Sequence, residues 1–173
     1  MMAMINYANY ILLLSYPSPS WSKNVLNIDG NERLLKFRQA IRGKELSELE
    51  ELFTSTFDIQ GICCLDVGYV LFGDDYKRAE FLVGMSQLER QLDVDAGTEL
   101  ADHLPNMLKL LLVMPYSEIK KEMLLSALIP AVKKMLATFS EGDDHCNPYK
   151  FVFQGLAAQL ETEVHELEGV VYA

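Results

Sequence analysis

Ser117-Glu118-Ile119-Lys120-Lys121-Glu122-Met123-Leu124-Leu125-Ser126-Ala127-Leu128-Ile129-Pro130-Ala131-Val132-Lys133-Lys134-Met135-Leu136-Ala137-Thr138-Phe139 is the longest periodic stretch of this chain, and its period is helical. Ile119, Met123, Leu124, Leu128, Val132, Leu136 and Phe139 follow one another mostly at steps of three and four, which aligns them along one side of a helix. Ser117 supplies a side-chain acceptor for the free N–H groups of the first turn. Pro130 interrupts the pattern: it removes one backbone donor and crowds the carbonyl of Ser126, so a kink is expected there.

The same period extends in both directions. Upstream, His103 to Met114 reads as a helix with Pro105 in its first turn and Pro115 beyond its end. Before it, Asp74 caps a helix through Leu92 with an inward stripe of Leu82, Met85, Leu88 or Glu89, and Leu92, and Gly97 lies in the turn that follows. Ile62 to Phe72 forms another helix, broken at Gly73. Lys44 to Phe57 turns Leu46, Leu49, Leu52, Phe53 and Phe57 inward and Glu45, Glu48, Glu50 and Glu51 outward. Asn31 caps a helix to about Arg42, ended by Gly43. Ser18 to Gly30, rich in Ser, Pro and Asn, reads as a loop with one short turn, and Ile5 to Ser15 as the first helix. Downstream, Ser140 to Asn147 is an acidic loop, and Asn147-Pro148 opens a last helix to about Leu167. Only Val170 to Tyr172 hints at extended chain. The fold class is all-α, a single-domain helical bundle over residues 1–173.

Half the residues are hydrophobic, enough for a packed core. The net charge of −10 disfavours nucleic acid, whose binding rests on Lys and Arg against phosphate, and an anionic membrane surface. It suits a cationic polypeptide partner or simple solubility. No apolar run reaches the ~20 residues of a membrane helix, and no Lys or Arg precedes Tyr10–Leu14 to make a secretory signal, so a cytoplasmic location is expected. Cys63 and Cys64 lie in an apolar run and read as buried reduced thiols; with Cys146 they make an odd count and no CxxC spacing.

Enzyme signatures fail in turn. GxSxG, a GK[ST] phosphate loop, GxGxxG and HExxH are all absent. Asp143, Asp144, His145 and Cys146 could chelate a metal only with a further ligand group that the spacing does not offer. No catalytic residue, metal or cofactor is therefore expected.

Two segments stand apart. Leu71-Phe72-Gly73-Asp74-Asp75-Tyr76-Lys77-Arg78 is a helix end followed by a charged new first turn. In Glu99-Leu100-Ala101-Asp102-His103-Leu104-Pro105 the Asp reads as a plain N-cap, whereas capping does not explain His103 and Pro105. Together with Leu13-Leu14-Ser15-Tyr16-Pro17, Phe53-Thr54-Ser55-Thr56-Phe57-Asp58 and Asn147-Pro148-Tyr149, they resemble the NarJ/TorD/DmsD family of redox-enzyme maturation chaperones, the NarJ branch most closely. Ala101 stands where that family usually has Pro, and Lys109 where a Glu commonly follows.

The resemblance implies a TorD-like helical chaperone without catalytic activity. Its partner would be the precursor of the catalytic subunit of a molybdenum-containing oxidoreductase such as a nitrate reductase, bound at its N-terminal segment during cofactor insertion. The candidate client-binding residues are Tyr69, Phe72, Asp74, Asp75, Arg78, Glu99, Asp102, His103, Leu104 and Pro105, with Tyr69, Phe72 and His103 as groove wall and Asp74, Asp75, Glu99 and Asp102 pairing with client cations. A permanent structural or regulatory subunit of a redox complex is the alternative, and a helical metal hydrolase using His145 and Cys146 a third.

Overall fold

In the computed structural model, residues 7–28, 31–58, 61–139 and 147–171 are described. Seven helices precede the long stretch quoted above: α1 (Tyr7–Leu13), α2 (Pro19–Val25), α3 (Glu32–Ile41), α4 (Leu46–Phe57), α5 (Val67–Phe72), α6 (Tyr76–Gln91) and α7 (Leu104–Val113). That stretch then forms α8 (Glu118–Glu122), a π-helical segment (Met123–Leu128) and α9 (Ile129–Ala137), and the described chain closes with α10 (Tyr149–Val171). Among the described residues there is no β-strand, only an antiparallel bridge between Asp66 and His103. The all-α expectation holds.

The centre of the bundle is α7. Leu104, Met107, Leu108, Leu110 and Leu111 are buried around most of its circumference, the mark of a helix enclosed by neighbours. Helix α1 packs along it, while α10 lies against both α3 and α9. The core runs without a break through Phe37, Phe53, Tyr149 and Phe153, and each such large apolar side chain contributes about 1.5–3 kcal/mol by leaving water. Met107, Met114, Met123 and Met135 are all buried in it, which assigns these methionines to core filling.

A buried polar latch ties the termini of the fold together. The Tyr7 hydroxyl donates to Oε2 of Glu163, and Lys120 Nζ lies 2.8 Å from Oε1 of the same carboxylate, joining α1, α8 and α10. Burial and the adjacent carboxylate push the Tyr7 hydroxyl far above the ordinary tyrosine range, so it remains a donor. At Gly155 of α10 an added Cβ would lie 2.9 Å from the Tyr10 hydroxyl, and only glycine leaves that hydroxyl its place beside Asn31.

Several expected boundaries move. Ser18 to Gly30 is not a plain loop: Ser18 Oγ accepts from the Trp21 N–H, Pro19 occupies the first helical position, and Trp21 and Val25, one turn apart, are buried, so α2 forms. Residues 62–66 are not helical. Val67 N–H donates to the Asp102 carbonyl and Leu104 N–H to the Leu65 carbonyl, which draws this segment alongside residues 102–104 and delays α5 to Val67. The cap of α6 is Asp75, not Asp74. On α6 the inward residues are Phe81, Met85, Leu88 and Leu92, all half-buried, and Glu89 is buried among them.

Pro130 acts through a π turn. Ile129 N–H donates five residues back to the Leu124 carbonyl, and Pro130 then falls in the first turn of α9, where a missing donor costs little. Ile119, counted into the inward stripe, is 56% exposed, whereas Met123 and Leu124 of that stripe are buried. Helix α10 continues past Leu167 to Val171, so the backbone at 170–171 is helical. Ile5, the acidic loop up to residue 146 and Tyr172 lie outside the described residues.

Candidate functional site

Arg78, on the first turn of α6, is the hub of the corner. Its Nε donates to Asp102 Oδ2 at 3.0 Å and its Nη2 to Asp66 Oδ2 at 2.9 Å. The other Asp66 oxygen, Oδ1, lies 3.3 Å from His103 Nδ1. The guanidinium sits 5.3 Å from the centre of the Tyr69 ring, within reach of a cation–π contact. The hydrogen bond from His103 holds the Asp66 carboxyl below the ordinary aspartate range against partial burial, with the charge of Arg78 acting in the same direction. Gly68 makes room for this arrangement, since a Cβ there would stand 2.7 Å from Asp102 Oδ2.

This geometry corrects two expectations. Asp102 is not the N-cap of α7, a position taken by His103, and its side chain is completely buried against Arg78. It cannot offer its charge to a client without dismantling the corner. Leu104 belongs to the core and presents no surface.

Of the remaining candidates, Glu99, His103 and Pro105 line one crevice and Phe72 a second, whereas Tyr69, expected as groove wall, lines neither, nor do Asp74 and Asp75. A cleft of about 530 Å³ is lined by Tyr16, Phe53, Phe57 and Asp58 on one side and by Asp66, Glu99, His103 and Pro105 on the other. Lys109 also reaches it, but its amine is held by the Asp95 carbonyl at 3.1 Å and Asn106 Oδ1 at 3.0 Å. Asn106 in turn donates to the carbonyls of Ala96 and Leu100, so α7 pins the 95–100 loop that forms the cleft rim. The second crevice, of about 270 Å³ and almost wholly apolar, runs between α5–α6 and the α8–π segment, with Phe72, Phe81, Met85, Ile119 and Met123 among its walls and Glu122 at its edge. Phe72 is 37% exposed there and packs edge-on against Phe81. Tyr69 is likewise exposed, and Asp74 sits in the open turn. Asp75 spends Oδ1 on the Lys77 N–H.

The cleft also includes residues outside the candidate set that the sequence suggests. Asp66 lies in what reads as a continuous apolar helix; an Asp directly before Val67-Gly68 is a capping signal that would have placed the helix start correctly. Tyr16, Phe57 and Asp58 were legible as motif members without a stated role. Cys64 is half-buried on the cleft wall rather than in the core, whereas burial pushes the Cys63 thiol up to about 12, leaving it inert.

Among the described residues no group of three or more His, Cys, Asp and Glu side chains is placed to hold a metal ion; Asp143, Asp144, His145 and Cys146 lie outside them. No described helix is long and apolar enough to cross a membrane. No protein-family model matches this chain, and no curated protein matches it.

Proposed function

We propose that this protein is a cytoplasmic, client-specific chaperone of molybdoenzyme assembly that works by binding and not by catalysis. Its client is the apo catalytic subunit of a nitrate reductase-like enzyme, held at its N-terminal segment while the molybdenum cofactor is inserted. One observation carries this reading: of the five segments singled out by their resemblance to such chaperones, three far apart in the chain line one cleft, and the other two each touch a residue of its wall. Tyr16, Phe57–Asp58 and Glu99–Pro105 contribute to its lining, Arg78 holds the Asp66 wall, and Tyr149 supports Phe57 from behind at 4.7 Å between ring centres.

The chemistry of the cleft suits that client. Aromatic walls desolvate apolar side chains, and the exposed carboxylates of Asp58 and Glu99 pair with cations at the rim, each contributing about 0–1 kcal/mol. Such binding is modest and reversible, as release of a finished client requires. The apolar crevice beside Phe72 offers a second hold for a longer client segment.

The test is maturation in cells. Deleting the protein should leave a molybdoenzyme catalytic subunit deficient in molybdenum, and restoring it should restore loading. Normal loading in its absence would exclude the role. Stoichiometric co-purification with the mature, active enzyme would instead mark a permanent subunit.

A further inference from the structure

The charge of the molecule is unevenly spread. Between Lys23 and Lys44 stand six cations, Lys23, Arg33, Lys36, Arg38, Arg42 and Lys44, against Asp29 and Glu32, a net of +4 on a chain whose total is −10. Two of these cations frame a concavity of about 410 Å³ where the end of α2 meets α3, lined by Leu26, Leu35, Arg38, Gln39 and Arg42. Leu26 is 49% and Leu35 43% exposed. On α3 the buried side is Leu34, Phe37 and Ile41, so Leu35, Arg38 and Arg42 stand on another flank of the same helix. Arg38 is fixed there by donating from Nη1 to the Ile28 carbonyl at 2.7 Å. Among the described residues neither guanidinium meets a carboxylate.

We propose that this α2–α3 face is a docking site for an acidic amphipathic segment of a protein partner, one that sets an apolar side chain between Leu26 and Leu35 and carboxylates against Arg38 and Arg42. Charge selects the occupant: a basic client suited to the Asp58–Glu99 cleft is repelled here, and an acidic one is disfavoured by the rest of the chain, which carries the excess negative charge. Shape selects a peptide over a lipid surface. The two leucines line a hollow instead of projecting, and Trp21, the aromatic that would anchor an interfacial helix, is buried with its indole N–H on the Leu12 carbonyl. Arginine's planar fork matches carboxylates, and a buried leucine anchor supplies the apolar part of the binding. The groove shares no residue with either crevice described above, so the two sites can be filled together and tested apart.

The probe is a synthetic amphipathic helical peptide with leucines on one face and glutamates on the other, followed by fluorescence anisotropy with the full chain. A version with lysines in place of the glutamates serves as control. The glutamate peptide should bind, the lysine peptide should not compete at this face, and Arg42→Glu should weaken binding about tenfold, as expected when attraction becomes like-charge repulsion. Leu35→Ser, an exposed position that tests the apolar contact without touching charge, should weaken it as well. Helicity should be unchanged in both variants, and both should leave client-precursor binding at the cleft intact. Equal binding of the glutamate peptide to wild type and Arg42→Glu would overturn the proposal. So would no binding at all, or capture of phosphatidylserine vesicles in preference to the peptide.

Discussion

The guanidinium of Arg78 donates to the Asp102 carboxylate across 24 residues of sequence, at 3.0 Å, and that carboxylate is wholly buried. With the backbone bonds of Val67 to Asp102 and Leu104 to Leu65, it fixes the α5–α6 corner to the start of α7. Breaking a buried pair by removing one partner strands the other, so Arg78→Met should destabilise the fold by about 3 kcal/mol. The expected signature is a lower urea midpoint with an unchanged slope. A variant as stable as wild type would show that the pair contributes nothing net.

Asp66 makes stability depend on acid. Its carboxyl is held below its ordinary value of 3.8, so the folded state binds that proton less readily than the unfolded one. The stabilisation is complete above pH 3.8 and is lost as pH falls through the depressed folded value. Asp66→Asn should therefore be less stable at neutral pH and should flatten the acid limb of stability against pH. Parallel acid limbs in the two proteins would contradict this.

The latch of Tyr7, Glu163 and Lys120 predicts graded damage. Lys120→Met leaves a carboxylate buried without its cation and should cost about 3–5 kcal/mol. Tyr7→Phe removes only a neutral donor and should cost about 1–2 kcal/mol. Urea denaturation of the two single variants and the double gives the coupling directly; additive losses would mean that the three groups do not act together.

Gly155 offers a test by rescue. Gly155→Ala places a methyl 2.9 Å from the Tyr10 hydroxyl and should cost about 1–3 kcal/mol. Adding Tyr10→Phe removes the obstructing oxygen and should recover part of the loss. A double variant weaker than either single would place the strain elsewhere.

Where the amino-acid pattern is strong the structure follows it: the stripe through Leu124, Leu128 and Val132, the Asn31 cap and the burial of Leu49 and Phe53 on α4 are all present. Local signals failed where a distant partner overrode them. Residues 62–66 carry a helical pattern, but backbone bonds to residues 102–104 take precedence, and no local pattern encodes those. Asp102 has the sequence of an ordinary cap; what distinguishes it is Arg78, which becomes visible only once α6 is folded against α7. Ile119 fits the stripe by counting, yet it stands more than half exposed on α8, outside the core that Met123 and Leu124 enter. The motif segments could be named without knowing that they share a cleft, because the helices between them set their meeting point.

Binding of a client segment to the cleft can be measured by titration calorimetry, with the full chain and a peptide from the N-terminus of a nitrate reductase-type catalytic subunit. The peptide should bind reversibly, more weakly at high salt, and more weakly still to Asp58→Lys with Glu99→Lys, two exposed positions whose reversal leaves helicity unchanged. Absence of binding, or equal affinity for wild type and the charge-reversed protein, would contradict a carboxylate-rimmed client cleft.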